Sequence, residues 1–129
     1  MTSSHPWTAA QLATIAAADE LTIASRRKDG SLRDPVIVWV VRHDNDLFVR
    51  AVRGRTSPWF RGVQSRHEGH IRAGGVQQDV TFEEASDEDL DALDAAYRRK
   101  YGRYAKSIVD STVTPDARAA TLRLVPAGD

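Results

Sequence analysis

The sequence has 129 residues, with 18 basic and 18 acidic side chains, so its formal net charge at pH 7 is zero. Its 41% hydrophobic and 28% charged residues predict one globular domain over residues 1–129 and exclude a disordered tail. The absence of cysteine excludes disulfides, thiol nucleophiles and cysteine-ligated zinc. The longest apolar run, residues 36–41, is far shorter than the roughly 20 residues that span a bilayer. These properties predict a soluble cytoplasmic protein without a membrane partner.

The first half of the chain predicts one helix and three strands. Thr8 is suited to cap a helix over residues 9–18, with Leu12 and Ile15 on its inward face. The strands that follow are joined by polar turns and extend over residues 20–25, 36–41 and 47–52. The middle strand is apolar on both faces, so it is predicted to be covered on both sides, by a helix or by another subunit.

A second helix is predicted to begin at Ser57-Pro58. Serine is a favoured N-cap residue, and proline fits the first helical position because its missing N–H is not needed there. This helix extends to about His67. Its predicted inward side chains are Trp59, Phe60 and Val63.

The rest of the chain predicts a hairpin, a long helix and a final strand. The hairpin arms surround Gly74-Gly75, Ser86 opens a helix over residues 86–101, and the last strand covers residues 119–125. The side chains of this helix that are predicted to face inward are Leu90, Leu93, Tyr97 and Tyr101. About six short, mostly antiparallel strands with helices before, between and after them predict an α+β fold, a small β-barrel with flanking helices.

The charged residues are unevenly distributed. Eleven basic and five acidic residues lie between positions 26 and 72, whereas eight acidic residues and no basic one lie between positions 79 and 94. Residues 50–58 combine arginines at a strand end, a glycine and a helix N-terminus. Phosphate binds at such places because free backbone N–H groups and the helix dipole attract it and arginine adds charge-assisted hydrogen bonds. The alternative is a capped surface helix with solvated arginines.

Other candidate sites have weaker support. His67 and His70 lack a third ligand at a matching spacing, so no metal site is predicted. Ser57 lacks the flanking glycines of a nucleophile elbow, so no serine triad is predicted. Trp39 is interpreted as a core residue. Three tyrosines are interpreted either as core or as a surface on which a ring system stacks: Tyr97, Tyr101 and Tyr104.

Five segments carry a family resemblance: ELTIA at 20–24, PVIVWVVR at 35–42, LFVRA at 47–51, SPWF at 57–60 and IRAGG at 71–75. They resemble a bacterial family catalogued as a domain of unknown function, and the match continues through residues 96–102 and 120–124. More distantly, Arg33-Asp34-Pro35, the two strands that follow and Pro58-Trp59-Phe60 resemble the split β-barrel oxidoreductases that use flavins or deazaflavins. These include pyridoxamine phosphate oxidases and deazaflavin-dependent nitroreductases.

The resemblance implies a split β-barrel, a bound FMN or deazaflavin, and a homodimer with the flavin near the subunit interface. In this chain the apolar segment 36–41 is then expected to form that interface. The resemblance places the cofactor phosphate at Arg50, Arg53, Arg55, Thr56 and Ser57, with Arg33 and Trp59 nearby.

The combined expectation is a flavin- or deazaflavin-binding protein, with hydride transfer to or from a small molecule as its activity if it is an enzyme. One alternative is a ligand-binding or interaction protein on the same fold without a cofactor or catalysis. Another is nucleic-acid binding through the arginines of residues 50–61, against which the neutral total charge argues.

Overall fold

A computed structural model describes residues 7–127, which form seven strands, five α-helices and one short 3-10 helix, Asp87–Asp89. The strands are β1 (Leu21–Ser25), β2 (Val36–Val38), β3 (Val40–His43), β4 (Asp46–Arg50), β5 (Glu68–Ala73), β6 (Val76–Glu84) and β7 (Thr121–Pro126). The helices are α1 (Ala9–Ala17), α2 (Pro58–Arg66), α3 (Leu90–Tyr101), α4 (Lys106–Asp110) and α5 (Pro115–Ala119).

The strands form one antiparallel sheet in the order β2-β1-β5-β6-β7-β4-β3. β2 and β3 lie at opposite edges of this sheet, although only Trp39 separates them in the chain. Residues 36–43 therefore pass from one edge to the other and nearly close the sheet into a barrel. The predicted α+β barrel with flanking helices is confirmed. It has seven strands rather than about six because the predicted strand over residues 36–41 divides at Trp39.

Two side chains of α3 hold the backbone where this strand divides. The Val40 N–H donates to the Tyr101 hydroxyl at 3.1 Å, and the Val40 carbonyl accepts from Lys100 Nζ at 2.7 Å. These bonds lie where the chain stops pairing with β1 and begins to pair with β4. The break thus depends on a helix that follows some sixty residues later.

The two apolar faces of the segment over residues 36–41 have different surroundings. Val40 belongs to the barrel core, and Val41 packs in a second buried cluster with Tyr97 and Tyr101 of α3. The predicted cover on both faces is confirmed for these two valines. Ile37 of β2 is 65% exposed in the single chain, because no element of residues 7–127 packs over it, and its cover by another subunit stays a prediction.

The helices close the barrel with the side chains that the periodicity predicts. Leu12 and Ile15 of α1 are buried in the same cluster as Phe60 and Val63 of α2. Thr8 caps α1 by accepting from a backbone N–H at 3.0 Å, as predicted. Other core positions, on α3 and β7, are buried as expected: Leu93, Tyr97, Tyr101, Leu122 and Leu124.

The start of α2 matches its prediction in position but not in capping. Ser57 and Pro58 occupy the N-cap and the first helical position. The Ser57 hydroxyl nevertheless donates to the Gly54 carbonyl at 3.0 Å, and no side chain caps the helix. No side chain within residues 7–127 therefore accepts a hydrogen bond from the backbone amides in the first turn of α2.

The connection from α3 to β7 contains two short helices, α4 and α5. Residues 119–120, predicted as strand, complete α5 and its turn instead. None of the helices within residues 7–127 is long and apolar enough to cross a membrane.

Candidate functional site

A cleft of about 510 Å³ opens beside the division between β2 and β3. Parts of β2, β4, α3 and the segments around α2 and α4 surround it, and its lining side chains include Ile37, Trp39, Arg50, Val52, Arg53, Ser57, Trp59, Tyr97, Ile108 and Thr112. The volume lies within the range of small-molecule sites.

Much of the cleft surface is aromatic or aliphatic. Trp39 stacks on Tyr101 with ring centroids 3.9 Å apart and planes within 1°, which fixes its orientation. Trp59, at the start of α2, is half-buried in the lining. Of the four large aliphatic side chains that are exposed among residues 7–127, three line this cleft: Ile37, Val52 and Ile108. A flat apolar ligand fits such walls.

Arg50 forms part of the cleft floor with its guanidinium wholly buried. Nε donates to the Thr121 hydroxyl at 2.9 Å, and one terminal nitrogen donates to Asp94 at 2.6 Å and to the Thr112 carbonyl at 2.8 Å. The other terminal nitrogen donates to the Leu90 carbonyl at 3.3 Å. Arg50 therefore joins β4 to α3 and β7 and is held by internal partners.

Of the arginines at positions 50, 53 and 55, Arg53 is the one available to a ligand. It is exposed and lines the cleft, and it makes no ion pair or hydrogen bond with other residues of the described chain. Ser57 lies in the same wall and is buried. Thr56, which directly precedes Ser57, is exposed but does not line the cleft.

Arg55 points to a different neighbour. Its guanidinium binds both carboxylate oxygens of Glu84, at 2.6 and 3.1 Å, and donates to the Ala119 carbonyl at 2.9 Å. This hydrogen bonding lowers the pKa of Glu84 below its usual value. The structure thus places Arg55 outside the cleft lining, against β6 and α5.

Arg33 lies beyond Pro58 and Trp59, in a smaller cavity of about 280 Å³. Its Nε is buried without a hydrogen-bond partner among the described residues. It rests against Gly62 of α2, where an added Cβ would stand only 2.8 Å from Nε. The structure therefore brings Arg50, Arg53, Ser57 and Trp59 into one cleft. Arg33 lies in the smaller cavity next to it.

Tyr97 of α3 also lines the floor of the cleft. Its hydroxyl is buried and has no hydrogen-bond partner within residues 7–127. Burial raises the pKa of Tyr97, against an opposing effect of the Arg50 guanidinium. Helical spacing identified Tyr97 as an inward residue, but spacing carries no information about whether a hydroxyl finds a partner.

The three described histidines, His43, His67 and His70, do not line this cleft. His70 of β5 pairs through Nδ1 with Asp79 at 2.9 Å, and His67 ends α2 in the left-handed conformation with φ 61°. Within residues 7–127, no three histidine or carboxylate side chains are grouped so as to hold a metal ion.

Comparison with known proteins places the chain in a family. Residues 11–124 match the model of a family described as "Uncharacterized protein conserved in bacteria (DUF2255)". The chain belongs to this family. A search of curated proteins found no match to the chain.

Solved structures share the fold of the DUF2255 chain at low sequence identity. The conserved hypothetical protein Rv2991 from Mycobacterium tuberculosis is 13% identical over 99% of this chain and 84% of that one, with a TM-score of 0.67. A candidate pyridoxamine 5′-phosphate oxidase from Listeria innocua is 10% identical over 89% of both chains, with a TM-score of 0.63. An F420-H2 dependent reductase is 18% identical over 83% of this chain and 93% of that one, with a TM-score of 0.60. These similarities establish the split-barrel fold.

Proposed function

We propose that this DUF2255 protein binds a flavin-type cofactor, FMN or a deazaflavin, in the cleft and acts as an oxidoreductase on a small molecule. The observation that carries the proposal is the combination of a ring-sized cleft between Trp39 and Trp59 with an unpaired arginine, Arg53, at its border. The names of two structural neighbours, a reductase dependent on F420-H2 and a candidate pyridoxamine 5′-phosphate oxidase, support the same class of cofactor.

The donor groups beside Arg53 suit a phosphate. The first turn of α2 has no side-chain cap, so its amides and the helix dipole add to the positive charge of Arg53. Ser57 and Thr56 supply the backbone of the turn, and Arg33 adds a guanidinium on the far side of Pro58. Arg50 and Arg55 have this role only indirectly, because their guanidinium groups are bound internally and hold the strand end and the turn in place.

A bound flavin or deazaflavin supplies hydride chemistry that no side chain of the cleft supplies by itself. The protein's part is to orient the ring between its apolar walls and to hold the phosphate end. The half-buried tryptophans and the exposed aliphatic residues also exclude water from a ring bound between them.

We extend the proposal to a homodimer formed around β2. Ile37, Val52 and Ile108 are exposed apolar side chains at the mouth of one cleft, and burial against a second copy would remove them from water. A dimer of this kind would also cover the cleft.

A second candidate is a small-molecule-binding protein that performs no redox reaction. The internal pairing of Arg50 and Arg55 favours it, because only Arg53 of the three is left to attract a charged cofactor. Turnover distinguishes the two candidates: the oxidoreductase oxidises or reduces its bound cofactor when a substrate is added. The same internal pairing weakens the case for nucleic-acid binding, which needs several free cations along one backbone.

The cofactor proposal predicts saturable binding of FMN or of reduced F420 by the purified protein at micromolar to tens of micromolar concentration. Arg53→Ala is expected to weaken this binding about tenfold, because it removes a charge-assisted hydrogen bond to phosphate. Fluorescence titration of the cofactor measures both values.

Arg99→Ala is the matched control, because Arg99 is an exposed arginine of α3 that does not line the cleft. The cofactor affinity of Arg99→Ala is expected to equal that of the wild type. Absence of saturable binding of both cofactors overturns the proposed function, and equal losses in the two variants overturn the role of Arg53.

A further inference from the structure

The hydroxyl group of Tyr97 lacks a partner although its side chain is almost completely buried. Tyr97 is 1% exposed, and its Oη has no hydrogen-bond partner among residues 7–127. Buried hydroxyl groups are nearly always hydrogen-bonded, because burying one without a partner costs free energy. A tyrosine in this position is therefore a candidate for a partner outside the chain.

The other hydroxyl donors on this side of the cleft are already used. Thr112 Oγ1 donates to the Val109 carbonyl at 2.6 Å, and Ser111 Oγ donates to the Ile108 carbonyl at 2.5 Å. Both residues line the same cleft as Tyr97. Of these three hydroxyl groups, the one on Tyr97 keeps its hydrogen for a ligand.

The surroundings of Tyr97 favour an acceptor atom as its partner. The Arg50 guanidinium carbon stands 5.2 Å from the centre of the Tyr97 ring, and Asp94 balances its charge within the chain. The Tyr97 hydroxyl keeps its hydrogen, which an oxygen with partial negative charge can accept. Because burial raises the pKa of Tyr97, its hydroxyl is protonated at neutral pH and can donate.

We propose that the Tyr97 hydroxyl donates a hydrogen bond to a carbonyl-type oxygen of the molecule bound in the cleft. The role is one of ligand binding and specificity. The identity of the molecule rests on the proposed function: the oxygen belongs either to the ring of the flavin-type cofactor or to a second small molecule bound beside it. The hydrogen bond itself requires only that the cleft bind a ligand with such an oxygen.

The experiment compares Tyr97→Phe with the wild type against two probes of similar shape. Menadione carries two carbonyl oxygens on a naphthalene ring system, and methylnaphthalene carries none. Quenching of tryptophan fluorescence reports binding, since Trp39 and Trp59 line the cleft. The wild type is expected to bind menadione more tightly than methylnaphthalene. Tyr97→Phe is expected to weaken the binding of menadione about tenfold and to leave the binding of methylnaphthalene unchanged.

The same variant is titrated with FMN and with reduced F420. A loss of cofactor affinity assigns the oxygen to the cofactor ring, and a loss confined to menadione assigns it to a second molecule. If neither cofactor binds the wild type but menadione selectivity depends on Tyr97, the proposed function fails and the inference holds. Unchanged affinity of Tyr97→Phe for menadione and for both cofactors overturns the inference.

Thermal unfolding of the ligand-free variants separates this role from a structural one. Tyr97→Phe is expected to unfold at the same temperature as the wild type or higher, because it removes an unpartnered polar group. Tyr101→Phe is the matched comparison, because the Tyr101 hydroxyl donates to Asp19 at 2.6 Å and accepts from Val40. Its unfolding temperature is expected to fall. A lower unfolding temperature for Tyr97→Phe overturns the inference.

Discussion

Arg50 shows that one arginine of a positive segment can have a structural role while its neighbour is free. Its buried guanidinium binds Asp94, Thr112, Thr121 and Leu90, whereas Arg53, three residues later, is exposed and unpaired within residues 7–127. The sequence predicts that both lie at the strand end. It does not show that Asp94, 44 residues further along, neutralises Arg50, because that contact exists only when α3 packs against the barrel.

Removal of Arg50 is therefore expected to affect stability more than the removal of Arg53. Arg50→Met leaves the Thr112 and Leu90 carbonyls without this donor and removes one of the two arginines that bind Asp94, so the free energy of unfolding should fall by about 2 to 3 kcal/mol. Arg53→Ala should change it by less than about 0.5 kcal/mol. Urea denaturation of both variants measures these values. Equal stability of Arg50→Met and the wild type would contradict the structural role of Arg50.

At the scale of secondary structure, α3 determines how the barrel closes. Lys100 Nζ donates to the Ala18 and Val40 carbonyls at 2.6 and 2.7 Å, and Tyr101 binds the Val40 amide. The end of α1 and the start of β3 are thereby attached to one helix. The cleft lies beside this attachment, so its geometry depends on an ammonium group that is half-buried.

Burial lowers the pKa of Lys100 to about 8, and this makes stability depend on pH. An unfolded lysine keeps its usual pKa of 10.5, so between these two values the unfolded state binds more protons and stability rises with pH. The free energy of unfolding of the wild type should therefore increase from pH 8 to about pH 9.5. Above that window the buried tyrosines, whose pKa values are raised, oppose the rise.

Urea denaturation at several pH values tests this dependence against two variants. Lys100→Met should lower stability and remove the rise, whereas Lys106→Met, at an exposed lysine of α4, should retain it. The same slope in the wild type and Lys100→Met would contradict the assignment to Lys100.

At the scale of the whole molecule, the exposed apolar residues are concentrated at one place. Ile37 on the edge strand β2 is 65% exposed, and Val52 and Ile108 border the same cleft. An edge strand with exposed apolar side chains favours association with another chain. This distribution supports the homodimer that the family resemblance implies.

Light scattering coupled to size exclusion is expected to find a dimer for the wild type at tens of micromolar. Ile37→Asp should give a folded monomer, because the side chain is exposed in the single chain. Leu32→Asp is the control, since Leu32 is also exposed but lies outside the cleft lining, and it should remain dimeric. A monomeric wild type would contradict the proposed dimer.

The sequence by itself determined what depends on neighbouring residues. Thr8 and Ser57-Pro58 set the starts of two helices, Gly74-Gly75 set a hairpin, and helical spacing identified Tyr97 and Tyr101 as inward, because these signals act within one or two turns of chain. The tertiary structure alone decided that the strand over residues 36–41 divides at Trp39 and that Arg50 and Arg55 are paired internally. It also decided that the Tyr97 hydroxyl finds no partner within residues 7–127. Each of these outcomes depends on a contact, or on the lack of one, between residues far apart in the chain, and periodicity and charge spacing do not record such contacts.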